Sequence, residues 1–319
     1  MILVLPILLP LVFMSFSILR LPMRIYAYSG TVGSMLLVFV AAYLLIHVKT
    51  EGILTLYAGG WQAPYGITFV ADPFSALMLM VSSLVLLAIA LYAMHFLPQA
   101  YHSGKFYVFF FSLALGVNGA FLTGDVFNLY VWFEVMLLSS FVLITLGKTE
   151  DKLRGGIKYL ALNLISSLFF LAGIGLLYAK TGTLNMAHLA QIVQGHEQLK
   201  WLNTPAMLIF LAFGIKAALF PLFFWLPASY HRPNITISAL FAGLLTKVGV
   251  YAMIRFFTLF FILYPGFWHN LILVIAGLTM VTGGMAATTQ YDTRRILSFH
   301  IISQIGYMVM GLGIFTPLA

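Results

Sequence analysis

The sequence predicts an all-α polytopic membrane protein of about ten transmembrane helices, the seventh of them broken. Three observations carry that prediction. Of 319 residues, 62% are hydrophobic and only 8% charged, with a mean hydropathy of +1.04; a soluble domain carries about 25% charged residues. The apolar residues form long runs of about 20, the length that crosses a hydrocarbon core, rather than the short alternating strands of a barrel. The cationic residues collect in alternate loops between those runs.

The same composition excludes a soluble enzyme, a nucleic-acid binder and a disordered chain. The chain has no cysteine. Disulfides, thiolate zinc sites, cysteine-held clusters and a cysteine nucleophile are therefore absent from it. The net charge of +8 reflects cationic loops rather than a nucleic-acid partner.

The first apolar run, 2–19, follows Met1 without a basic n-region or a small-residue cleavage site. It reads as a retained helix, not a signal peptide. Further runs follow at 27–47, 73–95, 106–122, 126–146, 156–179, 204–226, 235–261, 268–289 and 296–315. Between the second and third, residues 48–71 carry Gly-Gly and a proline between β-prone stretches, which predicts a small extracellular hairpin. Residues 180–203 contain NMAHLAQIV, a short interfacial helix. No soluble domain, linker or low-complexity tract is apparent, so 1–319 reads as a single transmembrane domain. The chain stops at Thr316-Pro317-Leu318-Ala319, soon after a span and without a polar tail, and reads as truncated.

Orientation follows from the basic residues. One set of alternate loops holds Arg20, Arg24, Lys105, Lys148, Lys152, Arg154, Arg232, Arg294 and Arg295. The other set holds Lys49, Lys180 and Lys200, with Arg255 late in the eighth run. The richer set is expected on the cytoplasmic side, which puts the N-terminus outside.

Three charges fall at membrane depth, where each costs several kcal/mol and marks a functional candidate. Glu134 sits in VWFEVMLL, about nine residues into the fifth run and roughly 13 Å deep. Lys216 sits midway along the seventh run, in FGIKAALFP, and Lys247 midway along the eighth, in LLTKVGVY. All three are expected to face the protein interior or a wet cavity. A buried ion pair that only fixes packing is one reading. A proton relay is the other, and it accounts for the second lysine. Pro221 and Pro227, in KAALFPLFFWLP, interrupt the seventh run. A proline inside a span removes a backbone hydrogen bond; broken helices at midplane sites are common in transporters, and a packing kink is the alternative. Ser238, Gly243, Thr246 and Gly249 give the eighth run a small-residue face that permits close approach.

Other polar residues have two readings each. His300, near the cytoplasmic start of the tenth run, is either a proton-passing group or a satisfied hydrogen-bond partner. Asp125 opens the fifth run as an N-cap or as a cation-entry group. Asn118, Asn128, Asn163, Ser166 and Ser167 are either oxygen ligands for sodium or ordinary helix–helix hydrogen-bonders. His231 and Arg232 are expected at a loop surface and Lys158 at the interface. No phosphate-binding glycine motif is present, so energy is expected from an ion gradient or a partner chain.

The stretches GDVFNLYVWFEVMLLSSFVLI, KAALFPLFFWLPASYHRPNITISALFAGLLTKVGVYAMIR and DTRRILSFHIISQIGYMVMGLG are the most specific parts of a wider resemblance. The chain resembles, along nearly its whole length, the antiporter-like membrane subunits shared by respiratory complex I, membrane-bound hydrogenases and Mrp-type cation/proton antiporters. Within that group, GGWQAPYGITFVADPFSALM and the histidine of SFHIISQIGYM make it most similar to the D subunits of Mrp antiporters. The resemblance implies a truncated fourteen-helix subunit built around two inverted five-helix repeats. Residues 1–104 would be the first three helices, 105–262 the first repeat, and 263–319 the start of the second. It further implies that Glu134 pairs with Lys216 and that Lys247 follows in a relay, completed in the family by an ionisable residue of a broken twelfth span that this sequence does not reach; His300 joins the expected relay on its own titration range. The implied function is proton translocation in a multisubunit Na+/H+ antiporter of a prokaryotic cell membrane, a transporter subunit rather than an enzyme. A proton-pumping subunit of a redox-driven complex is the alternative. The expected partners are other subunits, the lipid bilayer, protons and Na+, with no cofactor, no metal and no nucleic acid.

Overall fold

The computed structural model describes residues 2–19, 22–98, 101, 104–147, 149–194, 200–262 and 265–316. Arg20, Lys148 and the terminal Pro317-Leu318-Ala319 lie outside them. The chain divides into two compact bodies, residues 1–153 with 233–244 and residues 154–232 with 245–319.

The first body opens with α1 (Leu5–Ile18) after a single 3-10 turn, Ile2–Val4. Then come α2 (Met23–Glu51), α3 (Pro73–Phe96), α4 (Gly104–Leu122) and α5 (Val126–Thr145). Helix α4 is the core, with every residue from Leu113 to Leu122 buried. Small residues let its neighbours reach it: Gly119 faces the Trp132 indole of α5, and a methyl group at Gly33 of α2 would meet the Phe111 ring at 2.7 Å. Helix α2 exposes Tyr28, Val32, Met35, Phe39, Tyr43 and Ile46 along one stripe, the face a span turns to lipid.

Pro10 lies inside α1 and has no N–H, so the carbonyl of Pro6, one turn earlier, loses its helical donor. The Asn118 side-chain amide of α4 donates to that carbonyl at 2.9 Å. Asn118 thus repairs a proline defect.

The expected hairpin is present. Strands β1 (Leu54–Tyr57) and β2 (Thr68–Ala71) pair antiparallel with Leu54 opposite Ala71. It is tied to the α4–α5 turn by a bridge from Phe69 to Thr123 and by the Gly124 N–H donating to Thr68 O at 2.8 Å. Asp72 caps α3 through a reciprocal bond with Ser75.

The second body holds α6 (Glu150–Thr181, from Arg154 on), α7 (Met186–Gln194), α8 (Asn203–Ala217), α9 (Trp225–Tyr230), α10 (Ile235–Leu259, from Leu245 on), α11 (Pro265–Thr288) and α12 (Thr293–Ile314). Phe170, Phe213 and Phe256 meet edge to face, with centroids 4.9 Å apart for Phe170–Phe213 and Phe213–Phe256, and so join α6, α8 and α10. Helices α11 and α12 pack antiparallel on glycine. A methyl group would come within 2.6 Å of the Ser303 nitrogen at Gly283, of the Met280 side chain at Gly306, and within 2.9 Å of Leu273 at Gly313. Helix α7 buries Met186, Leu189, Ala190 and Val193, the one-sided spacing expected of an interfacial helix.

Among the described residues, eight helices are long and apolar enough to span a bilayer. The two remaining expected spans differ for a physical reason: α1 is only 14 residues long, and the seventh run is split into α8 and α9.

Candidate functional site: a lysine at an interrupted helix

Lys216 is 6% exposed and lies in the last turn of α8. Helix α8 ends there because Ala218 takes a left-handed conformation (φ 62°, ψ 49°), costly for a residue with a Cβ, and because Pro221 cannot supply the next backbone donor. The Ala218 N–H turns back to the Gly214 and Ile215 carbonyls, and Leu219 N–H reaches Gly214 O at 2.9 Å. Two side chains hold the interruption open. The Trp225 indole N–H donates to the Ile215 carbonyl at 2.8 Å, and the Phe220 N–H donates to the buried Thr279 hydroxyl of α11 at 3.0 Å.

Two adjacent serines of α6 meet this end of α8. Ser166 donates to the Ala212 carbonyl at 2.7 Å, and the Lys216 ammonium donates to Ser167 Oγ at 3.4 Å. Helix α10 presses against the same point. A methyl group at Gly249 would come within 2.9 Å of the Ala217 nitrogen and 3.1 Å of the Lys216 carbonyl carbon. Lys247, two residues before Gly249, is half-buried in the same body. One turn further along α10 than Lys247, Tyr251 is buried and accepts from Arg255 Nε at 3.1 Å and Nη2 at 3.0 Å.

Glu134 belongs to the first body, half-buried on α5 one residue after the buried Phe133. Asp125 is the N-cap of α5 and accepts from the Asn128 N–H at 2.8 Å. Burial raises its carboxyl above the ordinary value, against the opposing bonds from the Asn128 and Phe127 N–H groups. His300 is exposed on α12, with its Nε2 3.4 Å from Gln304 Nε2. Lys158 is exposed.

The other polar residues make ordinary structural bonds. The Asn128 amide donates to Thr123 Oγ1 at 3.1 Å and the Asn163 amide to Tyr159 O at 2.9 Å. His231 and Arg232, expected at a surface, are instead half-buried: His231 Nδ1 lies 2.6 Å from Pro227 O, and the Arg232 side chain packs on Gly155 of α6. Glycine at 155 leaves room for that arginine, a contact no local pattern announces. Nor does any pattern single out Ser167 as the lysine's partner, or Trp225 and Thr279 as props of the interruption. The one local signal is a tryptophan, with its single N–H, inside a proline-broken run.

A family model described as NADH:quinone oxidoreductase/Mrp antiporter, TM matches residues 123–318, most of the chain and all of this site. The chain belongs to that family. Among curated relatives, the D subunit of the Na(+)/H(+) antiporter of Alkalihalophilus pseudofirmus is 49% identical over 320 residues, covering 99% of this chain and 64% of that protein. Its counterpart in Bacillus subtilis is 40% identical over 320 residues, covering 98% and 64%. The chain thus spans 64% of the length of either relative. Two solved structures share the fold. The Mrp complex from Dietzia sp. matches with a TM-score of 0.89 at 30% identity, over 99% of this chain and 59% of that one. The membrane-bound sulfane sulfur reductase, an archaeal respiratory membrane complex, matches with a TM-score of 0.90 at 30% identity, over 98% and 64%. With its apolar spans, the chain is a multi-pass membrane protein of the NADH:quinone oxidoreductase/Mrp antiporter family.

Proposed function

We propose that this chain is the proton-translocating membrane subunit of a multisubunit monovalent cation (Na+)/proton antiporter. Lys216 and Lys247 carry the proton, Glu134 is the acid whose charge gates it, and His300 exchanges protons near the start of α12. The observation that supports this most is the buried Lys216 ammonium at an interrupted helix, with the Lys247-bearing α10 against its backbone. An amine at such depth is expensive to keep. Its hold on a proton responds strongly to any charge that approaches or leaves. The names of the curated relatives support antiport as the coupled process. In this reading 105–262 is the first inverted repeat and 263–319 opens the second. The helix ends bearing Arg24, Lys105, Lys152, Arg154, Arg294 and Arg295, and the turn bearing Arg232, face the cytoplasm.

A second reading, a proton-pumping subunit of a redox-driven complex, is favoured by the match to the sulfane sulfur reductase complex. The test is cation-driven proton exchange in vesicles carrying the full-length protein with all its partner subunits. Glu134→Ala and Lys216→Ala are each expected to lower exchange by about a hundredfold with assembly intact, the scale of a lost acid–base group. Wild-type rates in both overturn the relay. Proton movement that follows an electron donor and ignores the cation gradient selects the redox reading.

A further inference from the structure

Helix α10 runs past the interruption between α8 and α9 in the antiparallel sense. Two contacts set the register: Gly249 against Ala217, and Phe256 edge-on to Phe213 with centroids 4.9 Å apart. Moving back along α10 from Gly249 therefore moves forward from Ala217 into the broken stretch. Thr246 is one turn back from Gly249 and on the same face. That is the face of α10 that meets the end of α8.

Thr246 is fully buried, and its hydroxyl has no hydrogen-bond partner among the described residues. Thr236, in the first turn of α10, shares that lack. Thr145, Thr181, Thr258, Thr279 and Thr282 all donate to the carbonyl one turn earlier. A buried hydroxyl left unpaired is costly, and a water molecule commonly meets the need. The neighbouring stretch offers what such a water requires. Pro221 has no N–H to give the Ala217 carbonyl, so the helical ladder is open just past the Gly249 contact. Lys247 is the next residue of α10, and the backbone of Lys216 touches Gly249 one turn on.

We infer that Thr246 binds a water molecule at the helix interruption, and that this water is the link through which a proton passes between Lys216 and Lys247. The inference rests on the proton-relay reading above. Thr246 is a positioning residue: it holds the water by one hydroxyl and does not itself change charge.

The test uses the full-length subunit in its assembled complex. Thr246→Val keeps the branched shape and removes the hydroxyl; it should lower cation-driven proton exchange about tenfold, the rate equivalent of one lost hydrogen bond, and change the solvent deuterium isotope effect. Thr246→Ser restores the hydroxyl and should recover most of the rate. Exchange at the wild-type rate with an unchanged isotope effect in Thr246→Val overturns the inference. Should that variant fail to assemble, a density map of the wild-type complex decides: it should show a water within about 3 Å of the Thr246 hydroxyl, and an empty site in a map that shows other buried waters overturns the proposal. Lys216→Ala and Lys247→Ala in the same complex separate the two levels. If both abolish exchange while Thr246→Val does not, only the water link falls; if both exchange normally, the relay itself falls.

Discussion

Gly249 of α10 lies against the backbone of Ala217, so close that a methyl group there would sit 2.9 Å from the Ala217 nitrogen. The obstacle is main chain, which cannot rotate aside. Gly249→Ala should therefore destabilise the full-length complex by about 1–3 kcal/mol, the cost of overpacking a filled site. Gly214, only a few residues before the interruption in α8, is the contrast: an added methyl there meets nothing nearer than 3.9 Å. Gly214→Ala should be neutral or stabilising by up to about 1 kcal/mol through helix propensity. Thermal unfolding of the two purified variants checks the pair.

Asn118 and Pro10 form a second testable pair. Asn118→Leu strands the Pro6 carbonyl in a buried site and should cost about 1–3 kcal/mol. Pro10→Ala returns a backbone N–H to that carbonyl. In the Pro10→Ala background, Asn118→Leu should cost about 1 kcal/mol less than in the wild type. Equal costs in both backgrounds would mean that the amide serves another purpose.

Asp125 couples stability to pH at the start of α5. Its cap bond predicts a loss of about 1 kcal/mol for Asp125→Ala. Burial raises its carboxyl in the folded state, so the protein binds that proton more tightly when folded than when unfolded. The resulting stabilisation is complete below the ordinary aspartate value and disappears as pH rises through the raised one. Asp125→Asn keeps a capping oxygen and cannot ionise. Thermal scans across acid pH should show wild type losing stability relative to this variant as pH rises over that window.

The spans are readable because a bilayer demands long uncharged runs, and few other pressures produce them. The interruption of the seventh run is readable from Pro221, since a missing N–H is a property of the residue alone. The hairpin and the one-sided α7 follow from glycine, proline and apolar spacing for the same reason. Partnerships between distant residues are not readable. Asn118, Asn128, Asn163, Ser166 and Ser167 look alike in sequence, as polar atoms at membrane depth, yet their uses differ. Asn118 mends α1, Asn163 bonds its own helix, Ser166 joins α6 to α8, and Ser167 accepts from a lysine. Most of these uses are fixed by what another helix presents, and that is settled only once the chain has packed. The half-buried Arg232 has the same origin, a cleft made by a glycine far away in sequence.

Trp225, just past the gap after α8, grips the Ile215 carbonyl before it, and Thr279 secures Phe220 within it. The chain there behaves as a braced elbow, not a hinge: bending it would mean releasing both grips at once. Motion at the lysine is then left to its own slender carbon arm. In the proton-relay reading proposed above, a hydrogen ion would be handed over by that arm while the scaffold stands still.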